Sequence, residues 1–243
     1  MNSKKHTVKA VILAGGKGAR LAPYTKILPK PLMPIGDMPI LEVLLQQLKH
    51  AGITDIVITV GHLAALMRTY FLDGREFGLN ITYSYEDTPL GTAGPLALVP
   101  GLDKTFFVMN GDVLTTLNFR ELLKFHKSQK AAATIAAHQR TVKIDFGVLL
   151  HDKDSLELKG YLEKPSYDYE VSMGIYVFEP SALDHIPKNR YLDFPDLVLK
   201  MISAGEKVAI YPYAGYWQDL GRADDYENAT REFNSMRDQF LPK

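Results

Sequence analysis

Residues 8–14 form a short, nearly continuous apolar run that ends in Gly15-Gly16-Lys17-Gly18, and no other segment constrains the fold as strongly. A run of that length without polar alternation reads as a strand buried on both faces, typical of a parallel sheet covered by helices. The glycines after it let backbone N–H groups approach an anion closely. Lys17 and Arg20 add positive charge, and the planar guanidinium of Arg20 suits phosphate oxygens. A simple turn whose glycines adopt positive φ is the alternative for this loop read alone. The loop is neither a dinucleotide fingerprint, since Gly16-x-Gly18 lacks its third glycine, nor a P-loop.

The pattern continues as strand alternating with helix. Apolar residues at 40, 41, 44, 45, 48 and 51 have helical spacing, which predicts a helix over 40–51 with Asp37 as its N-cap and Gly52 as its stop. Strands are expected at 55–60, 80–85, 105–109, 131–138 and 208–213, and helices at 62–72, 118–129, 193–204 and 223–240. Asp224 and Asp225 are expected to cap the last helix. Shorter strands at 147–150, 160–163 and 171–178 make the second half less regularly wound. The alternation implies right-handed crossovers and a mainly parallel sheet. One domain over 1–243 is expected, with an N-terminal lobe to about residue 115 and a second lobe from about 116.

Composition removes several classes. There are no cysteines among the 243 residues, so disulfides, thiolate metal sites and cysteine nucleophiles are excluded. Lys plus Arg equals Asp plus Glu at 28 each, so no global field favours nucleic acid or an anionic membrane. The apolar run near the N-terminus is too short to span a bilayer, and the chain is expected to be cytoplasmic. The seven histidines form no H-x-x-x-H pair and read as surface or core residues.

Lys30 lies between Pro29 and Pro31, which predicts a stiff, extended display of its ammonium; a solvated loop lysine is the other reading. Asp112 follows an expected strand at its carboxyl end, where ligands collect in open α/β sheets. Asp219 is a second acid beside a glycine. Each alone is compatible with a turn residue or helix cap, and only the fold brings such distant positions together. Glu163 and Lys164, read alone, form a surface pair.

Residues 13–21 with Leu28-Pro29-Lys30-Pro31-Leu32 resemble the signature of the sugar-phosphate nucleotidyltransferases (nucleotide-sugar pyrophosphorylases). The likeness continues through Leu90-Gly91-Thr92-Ala93-Gly94, Asn110-Gly111-Asp112, Glu163-Lys164-Pro165 and Trp217-Gln218-Asp219-Leu220-Gly221, in order and over nearly the whole chain. Ala19 departs from it, where the family commonly carries threonine. The resemblance implies an α/β, Rossmann-like mixed sheet with helices on both faces, of the nucleotide-diphospho-sugar transferase type.

It also implies roles. Leu13, Ala14, Gly15, Gly16, Gly18, Gly91, Thr92 and Gly111 would surround a nucleoside triphosphate, with Arg20 and Lys30 on its phosphates. Lys164 would hold a sugar 1-phosphate, with Gly147, Glu163 and Gly174 lining the sugar site, and Asp112 and Asp219 would bind Mg²⁺. The run at 89–95 most resembles mannose-1-phosphate guanylyltransferases, so GTP and mannose 1-phosphate are the expected substrates. The alternatives are UTP or dTTP with glucose 1-phosphate, or a non-catalytic regulatory homologue that binds nucleotide-sugar. A metal-dependent glycosyltransferase would show an Asp-x-Asp pair, and Asn110-Gly111-Asp112 has one acid. No hexapeptide repeat is present, so an acetyltransferase half is not expected. A homo-oligomer is compatible with the family.

Overall fold

The structure, a computed structural model, describes residues 8–16, 18–221 and 223–241. Lys17 therefore lies outside the described residues, as does the side chain of Asp224. In chain order the strands and helices are β1 (Lys9–Ala14), a hairpin of β2 (Pro34–Ile35) and β3 (Met38–Pro39), α1 (Ile40–His50), β4 (Asp55–Val60), α2 (Ala64–Phe71) and β5 (Asn80–Tyr85). Then come β6 (Phe106–Asn110), β7 (Val113–Thr115), α3 (Phe119–Gln129), β8 (Ala133–Lys143), β9 (Val148–His151), β10 (Leu158–Leu162) and β11 (Ser166–Phe178). The chain finishes with α4 (Phe194–Ser203), β12 (Val208–Tyr213), β13 (Trp217–Asp219), α5 (Ala223–Ser235) and α6 (Arg237–Phe240).

Seven strands form one sheet in the order β12-β8-β11-β6-β1-β4-β5. All neighbours are parallel except at β11, which is antiparallel to both β6 and β8, so the sheet is mixed and mainly parallel. The chain leaves β1 for β4 on one side and returns to β6 on the other. That reversal is the switch point at which open α/β sheets leave a crevice beyond the strand ends. Ala14, Val60 and Asn110 end the three strands there, so the glycine loop opens directly onto the crevice.

Helices cover both faces, as the alternation requires. Leu41, Leu44, Leu45 and Leu48 of α1 pack with Met67 and Phe71 of α2 and Phe119 and Leu122 of α3 on one face, over Ile12, Ile58 and Met109. Phe194, Leu197 and Met201 of α4 cover the other face, over Val11, Val108 and Phe178. Phe233 and Phe240 of the last two helices pack on the outer side of α1 against Ile40 and Val43. Among the described residues, no helix is long and apolar enough to cross a membrane.

Several expectations need correction. Asp37 is not the cap of α1, because Pro39 occupies that position; Asp37 instead receives two hydrogen bonds from the Arg237 guanidinium, at 2.7 and 3.1 Å. Lys30 begins a 3-10 turn over Lys30–Leu32 and is not extended, since Pro31 suits the first turn of a helix as well as a stretched segment. The C-terminal helix breaks at Met236 into α5 and α6. Asp225 is the third residue of α5, and its carboxylate accepts a hydrogen bond from Gln218 Nε2 at 2.8 Å. β11 is longer than expected and runs with β8 beyond the sheet as an arm, interrupted between Ser172 and Tyr176 by a bulge.

Candidate active site

The crevice is a cleft of ≈ 820 Å³. Of the residues singled out from sequence, Leu13, Ala14, Gly15, Gly16, Gly18, Arg20, Lys30, Gly91, Thr92 and Asp112 line it. Gly18 adopts φ +59 before the 3-10 turn Ala19–Leu21, and its carbonyl accepts a hydrogen bond from Thr25 Oγ1 at 2.8 Å. That turn directs Arg20 toward Gly221 on the far wall.

The two aspartates are brought together by a short antiparallel ribbon. β13 pairs with β7 so that Asp219 lies opposite Val113, and Leu220 N–H donates to Asp112 O at 3.2 Å. Lys30, only 9% exposed, places its ammonium between them. It forms an ion pair with Asp112 Oδ2 and lies 3.6 Å from Asp219 Oδ1. Burial raises the Asp219 carboxyl above the usual aspartate value and the neighbouring Asp112 charge pushes the same way, while Lys30 and Arg20 oppose both. One lysine thus offsets only part of a convergent negative pair. Among the described residues no group of three acidic or imidazole side chains gathers to hold a metal unaided. Two carboxylates nevertheless match Mg²⁺, which takes one or two and completes its shell with phosphate oxygens and water.

Gly111 lies behind the cleft, its N–H donating to Leu13 O at 3.0 Å. Gly174 sits in the β11 bulge, where a side chain would collide with Asn110, a residue that does line the cleft. Gly147 backs onto the Tyr161 hydroxyl in the β9–β10 arm. Glu163 and Lys164, just beyond β10, are 65% and 67% exposed and pair with each other at 4.0 Å. These four sugar-site candidates (Gly147, Glu163, Lys164, Gly174) are not among the residues that line the cleft.

Reading the sequence missed several wall residues, namely Thr59, Gly61, His62, Tyr191 and Asp193. Gly61 packs on the Gly15 backbone, with its Cβ position only 3.1 Å from Gly15 O. The signal was a glycine directly after an expected strand, as at Gly15. Glu86 also faces the cleft: one carboxylate oxygen accepts from Leu90 N–H at 3.1 Å, and the other lies against Gly15. Burial raises its carboxyl above the ordinary glutamate value, partly opposed by the Leu90 hydrogen bond. Elsewhere on the wall, the Tyr191 hydroxyl donates to Asp193 Oδ2 at 2.7 Å. That bond holds the Asp193 carboxyl below its usual value and raises the phenol of Tyr191.

Comparison with known proteins follows the same outline. A model of the nucleotidyl transferase family matches residues 9–235. A UTP–glucose-1-phosphate uridylyltransferase of Synechocystis sp. is 35% identical, the match covering 92% of this chain and 63% of the relative. A mannose-1-phosphate guanyltransferase of Candida albicans is 36% identical, with 92% and 64% covered. The chain therefore spans somewhat less than two thirds of the length of these relatives. A solved Bacillus anthracis structure, provisionally named a glucose-1-phosphate thymidylyltransferase and complexed with sucrose, superposes with a TM-score of 0.75 at 26% identity, covering 96% of this chain and 99% of that one. With the switch-point cleft, the glycine loop and the family match over residues 9–235 all in agreement, the chain belongs to the nucleotidyl transferase family.

Proposed function

We propose that this protein transfers a nucleotidyl group from a nucleoside triphosphate to a sugar 1-phosphate, releasing pyrophosphate, with GTP and mannose 1-phosphate as its substrates. The observation that carries the reading is the Lys30 ammonium shared by Asp112 and Asp219 at the mouth of the glycine-loop cleft. The attacking oxygen of a sugar phosphate is already anionic at neutral pH, so the reaction needs no general base. Its difficulty is bringing two anions together and stabilising charge on the transferred phosphoryl group, a task of positioning and electrostatics. The loop amides of Gly15, Gly16 and Gly18 and the Arg20 guanidinium would bind the triphosphate, and Lys30 would face the phosphoryl being transferred.

Mg²⁺ held by Asp112 and Asp219 would supply positive charge to the phosphate oxygens. The assignment of Lys164 to the sugar phosphate, and of Gly147, Glu163 and Gly174 to the sugar, rests on their motifs.

Glu86 supports guanine over the pyrimidines. A carboxylate is acceptor-only, and guanine offers it the adjacent N1–H and N2–H₂ donors. Uracil and thymine present a single N3–H flanked by carbonyls, which a carboxylate repels. A pyrophosphate-release panel tests the reading by crossing GTP, UTP, dTTP and ATP with mannose 1-phosphate and glucose 1-phosphate, with and without chelator. GTP with mannose 1-phosphate is expected to lead, and chelator to silence it. Preference for UTP or dTTP would overturn the guanine assignment, and silence across the panel would overturn nucleotidyl transfer.

A further inference from the structure

Residues 190–193 cross the 90–94 loop from the far half of the chain and are bonded to it on both edges. The N–H groups of Ala93 and Gly94 both donate to Leu192 O, at 2.9 and 3.0 Å, and Leu192 N–H donates to Leu90 O at 2.9 Å. Asp193 Oδ1 accepts from the Thr92 N–H at 2.9 Å and from the Thr92 hydroxyl at 3.1 Å. Thr92 Oγ1 in turn accepts the Phe194 N–H at 2.9 Å. Thr92 therefore satisfies the first N–H of α4, and the Asp193 carboxylate, which makes no capping bond to the helix, grips the loop. The approach is close enough to require glycine at 91, whose φ is +81 and whose Cβ would lie 2.6 Å from Leu192 O.

The second oxygen of Asp193 holds Tyr191. Its ring lines the cleft and is 64% exposed, yet its hydroxyl is tied down at 2.7 Å. An exposed tyrosine ordinarily gains nothing from being fixed. An aromatic face fixed at the rim of a cleft has already lost the freedom that ligand binding would otherwise remove. A flat face of that kind suits stacking by a nucleobase.

We infer that Asp193 is a positioning residue that locks the 90–94 loop and holds the Tyr191 ring as a platform for the nucleobase of the incoming triphosphate. The inference rests on the nucleotidyl-transfer reading and adds to it two residues outside the metal and phosphate contacts.

The test compares wild type with Tyr191→Ala, Tyr191→Phe, Asp193→Asn and the Tyr191→Phe/Asp193→Asn double variant. KM is measured for each substrate in turn, and GTP binding separately by calorimetry. Tyr191→Ala is expected to raise both KM and Kd for GTP about tenfold, while KM for the sugar phosphate stays within about twofold. Tyr191→Phe and Asp193→Asn keep the ring and are expected to raise the GTP values about threefold each, with the double variant no worse than the worse single. A Tyr191→Ala variant within twofold of wild type for GTP, or one that weakens both substrates alike, overturns the platform. Fully additive effects in the double variant overturn the Asp193 link. If wild type binds no triphosphate, the nucleotidyl-transfer reading falls and this inference with it; normal wild-type turnover with unshifted variants sinks this inference alone.

Discussion

The Lys30 ammonium lies 3.6 Å from Asp219 while paired with Asp112, so a single cation from the N-terminal part of the chain serves two carboxylates from its middle and its C-terminal part. Replacing it leaves two negative groups facing each other beside the phosphate loop. Lys30→Met is expected to lower pyrophosphate release at least about a hundredfold, the scale for losing one preorganised charge contact. It should also lower the thermal midpoint, since an uncompensated carboxylate pair remains. Turnover within tenfold of wild type would refute the role.

Asp219→Asn keeps the shape of the side chain and removes its charge. The proposed reaction is then expected to lose its stimulation by divalent cations while the far-UV circular dichroism stays unchanged. A variant still stimulated by added Mg²⁺ to the wild-type extent would remove Asp219 from the metal site.

Gly91→Ala combines a left-handed backbone with a collision against a backbone carbonyl, neither of which a flexible side chain can relieve. A cost of about 1–3 kcal/mol is expected, read as a lower urea midpoint at constant m-value. Gly205→Ala supplies the control, because its φ is also positive, at +80, but its Cβ would meet nothing within 4 Å. Equal losses at the two positions would show that the crossing segment 190–193 exerts no pressure on the 90–94 loop.

Asp37 is held below the ordinary aspartate value chiefly by its hydrogen bonds from Arg237. A folded-state value below the unfolded one means that the contribution is fully present above the unfolded value of about 4. It is lost as pH falls through the lower folded value. The thermal midpoints of wild type and Asp37→Asn should therefore differ by a constant small amount above pH 5 and converge in stronger acid. A difference that grows on acidification would contradict the assignment.

Much of the fold could be read from local patterns, because the strands of a covered parallel sheet announce themselves as apolar runs. Residues 55–60 and 80–85 form strands over the expected spans, and the apolar spacing at 40–48 is the buried stripe of α1. Asn118 likewise caps α3, accepting from the Arg120 and Glu121 N–H groups. Local pattern fails where a distant partner decides. Asp37 has the right chemistry and spacing for a cap, but Arg237 claims it. Thr92 stands in a recognisable motif, yet its hydroxyl and N–H are engaged by Asp193 and Phe194. Tyr191 and Asp193 carried no local signal, since their placement depends on a chain crossing that periodicity does not encode. The motif at 163–165 was legible as a motif, and its Glu163 and Lys164 side chains are exposed just beyond β10 and do not line the cleft.

The pairing of β13 with β7 also sets an order in time. Asp112 and the whole seven-stranded sheet lie before residue 217, whereas Asp219 enters with the last tenth of the sequence. Chains emerge N-terminal end first during synthesis, and domains fold as units. Lys30 and its first carboxylate thus leave the ribosome well before the second, and the site closes only with the domain as a whole. The acidic pair is sealed only when 217–219 lie down beside 113–115, so a polypeptide interrupted just short of Trp217 would lack both the charge arrangement on which the proposed chemistry depends and the packing of Leu220, Phe233 and Phe240 on α1.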